Sequence, residues 1–297
     1  MNNPLTLFDA RRASLQFSIC TTGLRGMAIE DIAAEASRLG LQGLEIWSGH
    51  IRDYLNRGGT LSMLRTVLEA SRLQVPCISE YSCFTKGEEV SPGELDDLRQ
   101  SAEWARALNC PRIRVFAGHM PSRQAESEHW SMAATGLREA LQICRGQGVA
   151  LAVEIHNNTL ADTADSLGRL LQDSRLPKKG QAPAEAAEVT EVELIYDPFN
   201  LYVDRLDPIP VLERYYPFVS HVHFKDYRWN HEDWGRSEAV PVLQGDAGHA
   251  AILERLLSLG YRGFISLEYF GDRALELAEQ SLAELIEYVH KRIINPD

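Results

Sequence analysis

The sequence has few of the features that mark secreted, membrane or redox proteins. Its five cysteines are scattered along 297 residues without a CxxC pair, so they predict reduced core thiols rather than disulfides. No stretch approaches the roughly 18 consecutive apolar residues of a membrane span. The opening residues, MNNPLTLFDARRAS, lack the apolar core of a signal peptide. We therefore expect a cytoplasmic protein without a membrane partner.

Positive charge is also scarce. Thirty Lys and Arg residues stand against 42 Asp and Glu residues, which gives a formal net charge of −12. A field of this sign repels a phosphate backbone, so we expect no nucleic-acid partner. The hydrophobic share of 44% and the charged share of 24% are typical of a globular protein with a sizeable core.

The chain alternates short apolar strands with amphipathic helices. Eight strands are predicted, at 15–20, 43–47, 75–80, 112–117, 149–155, 192–197, 219–224 and 263–269. Eight such units predict an α/β fold, a single (β/α)8 TIM barrel. A doubly wound open sheet is the alternative, but TTGLRG after the first strand is not the GxGxxG of a dinucleotide-binding fold.

Capping residues predict where helices begin and end, and the regular alternation of strands and helices predicts a single domain. Ser91-Pro92 predicts a helix start before 93–109, and Gly148 predicts the end of the helix that precedes it. We expect one domain over 1–297, with an N-terminal arm at 1–14 and a solvated insertion at 175–191, which is rich in Pro, Ala and charge.

Seven of the eight predicted strands carry an acid or a histidine at or just past the carboxyl end. These residues are Glu45, Glu80, His119, Glu154, Asp197, His223 and Glu268. Catalytic groups of barrel enzymes come from these strand ends. Any one of the seven alone is explained as a solvated rim residue or a partner of a helix N-terminus. Together at one rim they would repel one another, and a bound cation resolves that conflict.

The stretch SHVHFKDY, residues 220–227, places two histidines on one face of a strand, because side chains alternate. His223 lies nearer the strand end, and we interpret His221 as a core histidine deeper in the barrel. Lys225 follows on the same side. It would either bind a substrate hydroxyl or extend into solvent, and the sequence leaves both open.

The last four strands carry the strongest candidates for metal ligands, which are Glu154, Asp197, His223 and Glu268. Three carboxylates and one imidazole suit Mn²⁺ or Mg²⁺ better than a metal that prefers thiolates. Co²⁺ or Zn²⁺ would also be compatible with this set.

Four motifs resemble the xylose isomerase-like TIM barrels, the group that contains sugar phosphate isomerase/epimerase and AP endonuclease family 2 proteins. The motifs are VEIHNNTLADT, YDPFNLY, HVHFKD and GDAGHAAILERLLSLGYRGFISLEY. The resemblance implies a metal held by Glu154, Asp197, His223 and Glu268. It also implies an enzyme in which Glu154 and Glu268 act as base and acid on a carbonyl substrate.

Three functions are compatible with this resemblance. The first is a metal-dependent isomerase or epimerase of a keto sugar or related carbonyl compound, working by proton abstraction next to the carbonyl through an enediolate. The second is a dehydratase or lyase on a 3-keto sugar, keto-cyclitol or oxidised glycoside. The third is a DNA-repair endonuclease or a non-catalytic sugar-binding barrel; the net charge and the complete ligand set argue against it.

One departure from the epimerase pattern bears on the choice. The epimerases place a histidine three residues after the Asp of the sixth strand, and Asn200 stands there in this chain. An amide can hydrogen-bond a hydroxyl but cannot carry a proton. His156, His119 and Lys225 are available to compensate, and we expect them at the substrate together with Asn200, Glu80 and Glu45.

The region after the seventh strand, YRWNHEDWGRSEAVPVLQGDAGH, is the longest predicted loop on the catalytic side. The loop holds Trp229 and Trp234 with Arg228 and Arg236, which predict a lid, since an aromatic face packs well on the C–H face of a sugar ring. Anchoring of the loop to the barrel, or a subunit contact, is the alternative. The expected partner is a small carbohydrate or polyol, and homo-oligomerisation is compatible with such a barrel.

Overall fold

Parallel strands and flanking helices make up the two compact halves of the chain. The computed structural model describes residues 15–87, 91–177 and 189–294. The first half comprises residues 1–76 and 221–297, and the second comprises residues 77–220. The predicted N-terminal arm at 1–14 lies outside the described residues, and a single domain over 1–297 stays a prediction.

The first half contains four parallel barrel strands in the order β9-β12-β1-β2. These strands are β1 (Gln16–Cys20), β2 (Gly43–Trp47), β12 (Phe264–Leu267) and β9 (Val219–Phe224), of which the residues from His221 onward belong to this half. The helices around them are α1 (Ile29–Leu39), α2 (Ser48–Asn56), α3 (Leu61–Ala70), α9 (His249–Ser258) and α10 (Ala274–Ile294).

The second half contains the other four barrel strands, also parallel, in the order β3-β4-β5-β8. They are β3 (Ile78–Ser79), β4 (Arg112–Val115), β5 (Ala150–Glu154) and β8 (Glu193–Tyr196). Its helices are α4 (Ser91–Ala107), α5 (Ser127–Gln147), α6 (Ala164–Asp173), α7 (Pro198–Val203) and α8 (Pro208–Tyr215).

The eight strands form a closed barrel in the order β1-β12-β9-β8-β5-β4-β3-β2. The prediction of a (β/α)8 TIM barrel is therefore confirmed, and the open sheet is wrong. Strands of such a barrel are covered on both faces. The four residues of β12 are accordingly all buried.

Glycine residues end two of the helices, one of them at the position that the sequence predicts. Helix α5 ends at Gln147, and Gly148 caps it in the left-handed region with φ of 72°. Gly40 caps α1 in the same way with φ of 81°. A residue with a side chain is disfavoured in this conformation, so glycine marks both helix ends.

Three regions differ most from the prediction. The strand predicted at 75–80 is reduced to Ile78–Ser79, and Pro76, two residues before it, has no N–H to donate to a neighbouring strand. In the predicted insertion, β6 (Leu176–Pro177) pairs antiparallel with β7 (Val189–Thr190), and 178–188 lie outside the described residues. The predicted loop after β9 contains an antiparallel pair, β10 (Asp226–Arg228) and β11 (Glu238–Val240).

Candidate metal centre and active site

The four predicted metal ligands lie at the carboxyl ends of barrel strands. Glu154 is the last residue of β5, and His223 lies one residue before the end of β9. Asp197 directly follows β8 and is the N-cap of α7, while Glu268 directly follows β12. All four side chains are buried.

In the first half, two histidines share one carboxylate. His221 Nε2 lies 2.9 Å and His223 Nε2 lies 2.8 Å from the same Oε2 of Glu45. All three side chains are fully buried. Burial alone would raise the pKa of Glu45, but electrostatic attraction to His223 and His221 and the hydrogen bonds from both rings outweigh it and hold this pKa well below its usual range.

Lys225 makes a buried ion pair in the same half. Its Nζ donates to Glu268 Oε2 at 2.6 Å, and the lysine is only 5% exposed. The same carboxylate oxygen lies 3.8 Å from Nδ1 of His223. Lys225 therefore does not extend into solvent, which was one of the two interpretations of the sequence.

In the second half, Glu154 is held by two neighbours. Arg114 Nη1 lies 3.2 Å from Glu154 Oε2, with the arginine fully buried. Asn200 Nδ2 donates to Glu154 Oε1 at 3.3 Å and to the Ile155 carbonyl at 3.2 Å. The amide at the position of the epimerase histidine thus contacts a predicted metal ligand.

Arg114 also stacks on two aromatic rings. Its guanidinium lies 4.4 Å from the ring centroid of Tyr81 and 4.6 Å from that of Phe116. Such contacts help to stabilise a buried cation. The sequence analysis missed Arg114, although a signal was present: a charged residue between Ile113 and Val115 of a buried strand needs a partner of opposite charge.

Glu154, Asp197, His223 and Glu268 form one group of residues that could hold a metal ion, and their role as ligands stays a prediction. Buried carboxylates at one rim repel one another, and a bound divalent cation would offset that repulsion. The oxygen-rich donor set fits a hard divalent cation such as Mg²⁺ or Mn²⁺. This is a candidate metal centre.

The remaining predicted site residues are not part of this ligand group. Glu80 accepts from Ser101 Oγ at 2.7 Å and from the Tyr81 N–H at 2.9 Å. His119 Nδ1 lies 2.7 Å from Thr85 Oγ1. A substrate role for either residue stays a prediction.

Three further predicted substrate contacts are wholly or partly exposed. The half-buried His156 packs edge-on against Phe116, with ring centroids 5.1 Å apart. Arg228 is exposed, 3.9 Å from Glu238. The backbone N–H of Trp229 donates to Asp246 Oδ2 at 2.7 Å, which ties this part of the predicted lid to a neighbouring turn.

No helix in the described part of the chain is both long enough and apolar enough to span a bilayer. The predicted compartment and the possible homo-oligomer stay predictions.

Two curated relatives are dehydratases. The chain is 23% identical over 286 residues to 3-dehydroshikimate dehydratase of Bacillus anthracis, which covers 91% of this chain and 96% of that protein. It is 25% identical over 207 residues to inosose dehydratase of Geobacillus kaustophilus, which covers 61% of this chain and 63% of that protein. The chain is thus similar to enzymes along most of its length.

Solved structures agree on the fold. The IolI protein with a bound zinc atom is 16% identical with a TM-score of 0.75, covering 93% of this chain and 99% of that chain. The 3-keto-D-glucoside 4-epimerase of E. coli is 15% identical with a TM-score of 0.72, covering 92% of this chain and all of that chain. The family model of xylose isomerase-like TIM barrels matches residues 33–291, and the chain belongs to that family.

Proposed function

We propose that this chain is a divalent-metal-dependent dehydratase that removes water from a polyhydroxylated cyclic ketone. The candidate metal centre at the strand ends supports this. The similarity to 3-dehydroshikimate dehydratase and inosose dehydratase supports it further, because both names describe loss of water from a ring that carries a carbonyl group. We therefore favour loss of water over isomerisation or epimerisation.

In this proposal Glu154, Asp197, His223 and Glu268 hold the cation. When bound, it would polarise the substrate carbonyl and stabilise the negative charge that forms as the neighbouring C–H bond breaks. The donor set favours Mg²⁺ or Mn²⁺. The zinc of IolI makes Zn²⁺ a second candidate to be tested by loading.

The observation that carries the proposal is a difference between the two glutamates predicted to be catalytic. Glu268 lies 2.6 Å from the ammonium of Lys225, whereas Glu154 lies 3.2 Å from the guanidinium of Arg114. An ammonium can release a proton, but a guanidinium in a protein cannot. A proton on Glu154 would also leave Arg114 buried without its counter-charge.

Loss of water needs one base and one acid, and Glu268 and Lys225 supply both. Glu268 takes the proton from the carbon next to the carbonyl, and the electron pair of that C–H bond forms the new C=C bond. Lys225 protonates the β-hydroxyl oxygen as its C–O bond breaks, and water leaves. The proton on Glu268 then passes to Lys225 across their hydrogen bond, which restores both groups.

Epimerisation or isomerisation is the second candidate. It requires a second proton carrier, and Glu154 is the residue predicted for it. The structural similarity to a 3-keto-D-glucoside 4-epimerase is the reason to test epimerisation as well. The contacts of Glu154 with Arg114 and Asn200 favour a role as ligand instead. Either candidate function is compatible with the substrate contacts predicted for His119, His156, Arg228 and Trp229.

The test is an assay of chelator-stripped protein reloaded separately with Mg²⁺, Mn²⁺, Co²⁺ or Zn²⁺. The substrates are 3-dehydroshikimate, an inosose and a ketose, and the Mg²⁺ form is followed by proton NMR in D₂O. Asp197→Asn serves as the inactive reference. Asp207→Asn serves as the matched control, because Asp207 also caps a helix but lies outside the ligand group.

A metal-dependent unsaturated product is the expected result. An epimer or isomer that carries deuterium next to the carbonyl would replace the proposal by the second candidate. Absence of both an unsaturated product and deuterium exchange with every substrate would reject both candidates.

A further inference from the structure

A chain of buried hydrogen bonds runs through the first half next to His223. Ser18 Oγ lies 2.6 Å from Ser266 Oγ, and Ser266 Oγ lies 3.0 Å from His221 Nε2. His221 Nε2 and His223 Nε2 both meet Glu45 Oε2, at 2.9 and 2.8 Å. All five side chains have no exposed surface. A polar network this deep is costly unless its members satisfy one another.

Strand register explains why these residues meet. Ser18 of β1 is the register partner of Ser266 of β12, which in turn pairs with His223 of β9. Glu45 lies on β2, beyond β12 and β1 in the order β9-β12-β1-β2. The two intervening strands carry serines at this level, and their small size leaves room for Glu45 to reach both histidines.

The contact determines which nitrogen of His223 is available to a metal. An ionised carboxylate accepts hydrogen bonds but cannot donate them, so the Nε2 atom facing Glu45 carries the proton. A neutral imidazole protonated on Nε2 has its lone pair on Nδ1. Nδ1 of His223 is the nitrogen 3.8 Å from Oε2 of Glu268, another member of the ligand group.

We propose that Glu45 is a positioning residue that keeps His223 protonated on Nε2 and directs Nδ1 to the metal. The inference rests on the metal centre of the proposed function and assigns Glu45 a role different from the substrate contact predicted from the sequence. Carboxylates that orient a metal-binding histidine in this way typically contribute about 10–100-fold to metal affinity.

The same three residues could instead hold an ion of their own, because ligand atoms of Glu45, His221 and His223 lie within 4.8 Å of one another. The 2.8 and 2.9 Å separations are ordinary hydrogen-bond lengths. We therefore favour hydrogen bonding, and the number of ions bound per chain distinguishes the two arrangements.

The first measurement is the tautomer of His223 in the metal-free wild-type protein. Histidine ¹⁵N NMR separates protonated from unprotonated ring nitrogens, and His223→Gln identifies the signal. We expect a proton on Nε2 and none on Nδ1. This readout needs neither activity nor a variant of Glu45.

The second measurement is the affinity for Mg²⁺ or Mn²⁺ of the wild type, Glu45→Gln, Glu45→Ala and Ser266→Ala, by calorimetry. We expect one ion per wild-type chain and binding that is about 10–100-fold weaker in Glu45→Ala, with Glu45→Gln between the two. Ser266→Ala is the matched control, because it removes the hydrogen bond to His221 Nε2 and leaves the contact of Glu45 with His223 in place, so it should bind metal as the wild type does.

Each other outcome overturns the inference in a recognisable way. A proton on Nδ1 of His223, or unchanged affinity in Glu45→Ala, rejects the role of Glu45 and leaves the metal centre intact. Two ions per chain, of which Glu45→Ala loses one, would identify a second metal site. Wild-type protein that binds no divalent ion would reject the proposed function and the positioning role together.

Discussion

Lys225 Nζ donates to Glu268 Oε2 at 2.6 Å, and both side chains are buried. The pair lies at the ends of two neighbouring strands of the barrel, β9 and β12. A lysine and a glutamate this close can exchange a proton directly. This relationship distinguishes the acid from the base in the proposed elimination of water.

Substitution of Lys225 should separate breakage of the C–H bond from loss of water. In Lys225→Met, Glu268 still removes the α-proton, but nothing protonates the leaving hydroxyl. We expect elimination to fall by about 10²–10⁴-fold while the α-position still exchanges with D₂O. Proton NMR of the metal-loaded variant measures both rates in one sample.

Lys291→Met is the control for this experiment, because Lys291 is exposed and forms an ion pair with the exposed Glu287 on helix α10. It should keep wild-type rates. If Lys225→Met eliminates water at the wild-type rate, the acid lies elsewhere. If it loses metal as well, Lys225 acts through the ligand group rather than on the substrate.

Asp197→Asn should remove bound metal without unfolding the protein. Asp197 Oδ1 accepts the Asn200 N–H at 3.1 Å as the N-cap of α7, and asparagine caps a helix about as well as aspartate. We therefore expect a melting temperature close to that of the metal-free wild type. Metal analysis of the purified variant and an activity assay provide the test, with Asp207→Asn as the control.

The wild type should also lose thermal stability when a chelator removes its metal, because a ligand that binds only the folded state stabilises it. The effect is about 2.7 kcal/mol at a free metal concentration 100 times Kd. Asp197→Asn should melt at the same temperature with and without chelator. A chelator effect in this variant that equals the wild-type effect would mean that the ion is bound elsewhere.

Arg114→Met should destabilise the metal-free protein strongly, because it leaves Glu154 buried without its counter-charge. Loss of one partner from a buried ion pair costs about 3–5 kcal/mol. Arg112→Met on the same strand is the matched control: its partially exposed pair with Glu193 at 3.2 Å should contribute about 0–1 kcal/mol. Urea unfolding measures both.

Added metal should reduce the cost of Arg114→Met, because a bound cation replaces part of the missing positive charge beside Glu154. Equal costs for the two arginine variants would contradict the structural role of Arg114.

The cysteines should be unreactive in the folded protein. All five are free and buried, and burial raises the pKa of the Cys144 thiol to about 12. At pH 8 roughly one Cys144 in 10⁴ would be a thiolate, the form that reacts. A disulfide reagent should therefore titrate no thiol in native protein and all five after denaturation. Rapid reaction of a native thiol would show that its surroundings open.

The candidate metal ligands could be found from the sequence because their positions follow from local rules. Side chains alternate along a strand, and parallel barrel strands end on the same rim. Glu154 and His223 each lie at the carboxyl end of a strand that is evident from its apolar residues. For these residues, identifying the strand was sufficient to place the side chain at the rim formed by the carboxyl ends of the strands.

The partners of these ligands could not be found in the same way. Glu45 is 178 residues from His223 in the chain, and Arg114 on β4 meets Glu154 on the neighbouring β5. Such contacts depend on side-chain length, on rotamer and on small residues such as Ser18 and Ser266 that leave space between strands. Neither hydrophobic period nor strand order encodes them.

The sequence by itself therefore determined the alternation of strands and helices, the barrel and the residues at its strand ends, because periodicity and turn residues act over a few positions. Only the tertiary structure decided that Lys225 is buried against Glu268, and that Arg114 rather than solvent neutralises Glu154. Charged groups are buried only where the folded chain brings a partner within hydrogen-bonding distance, and that partner comes from another strand.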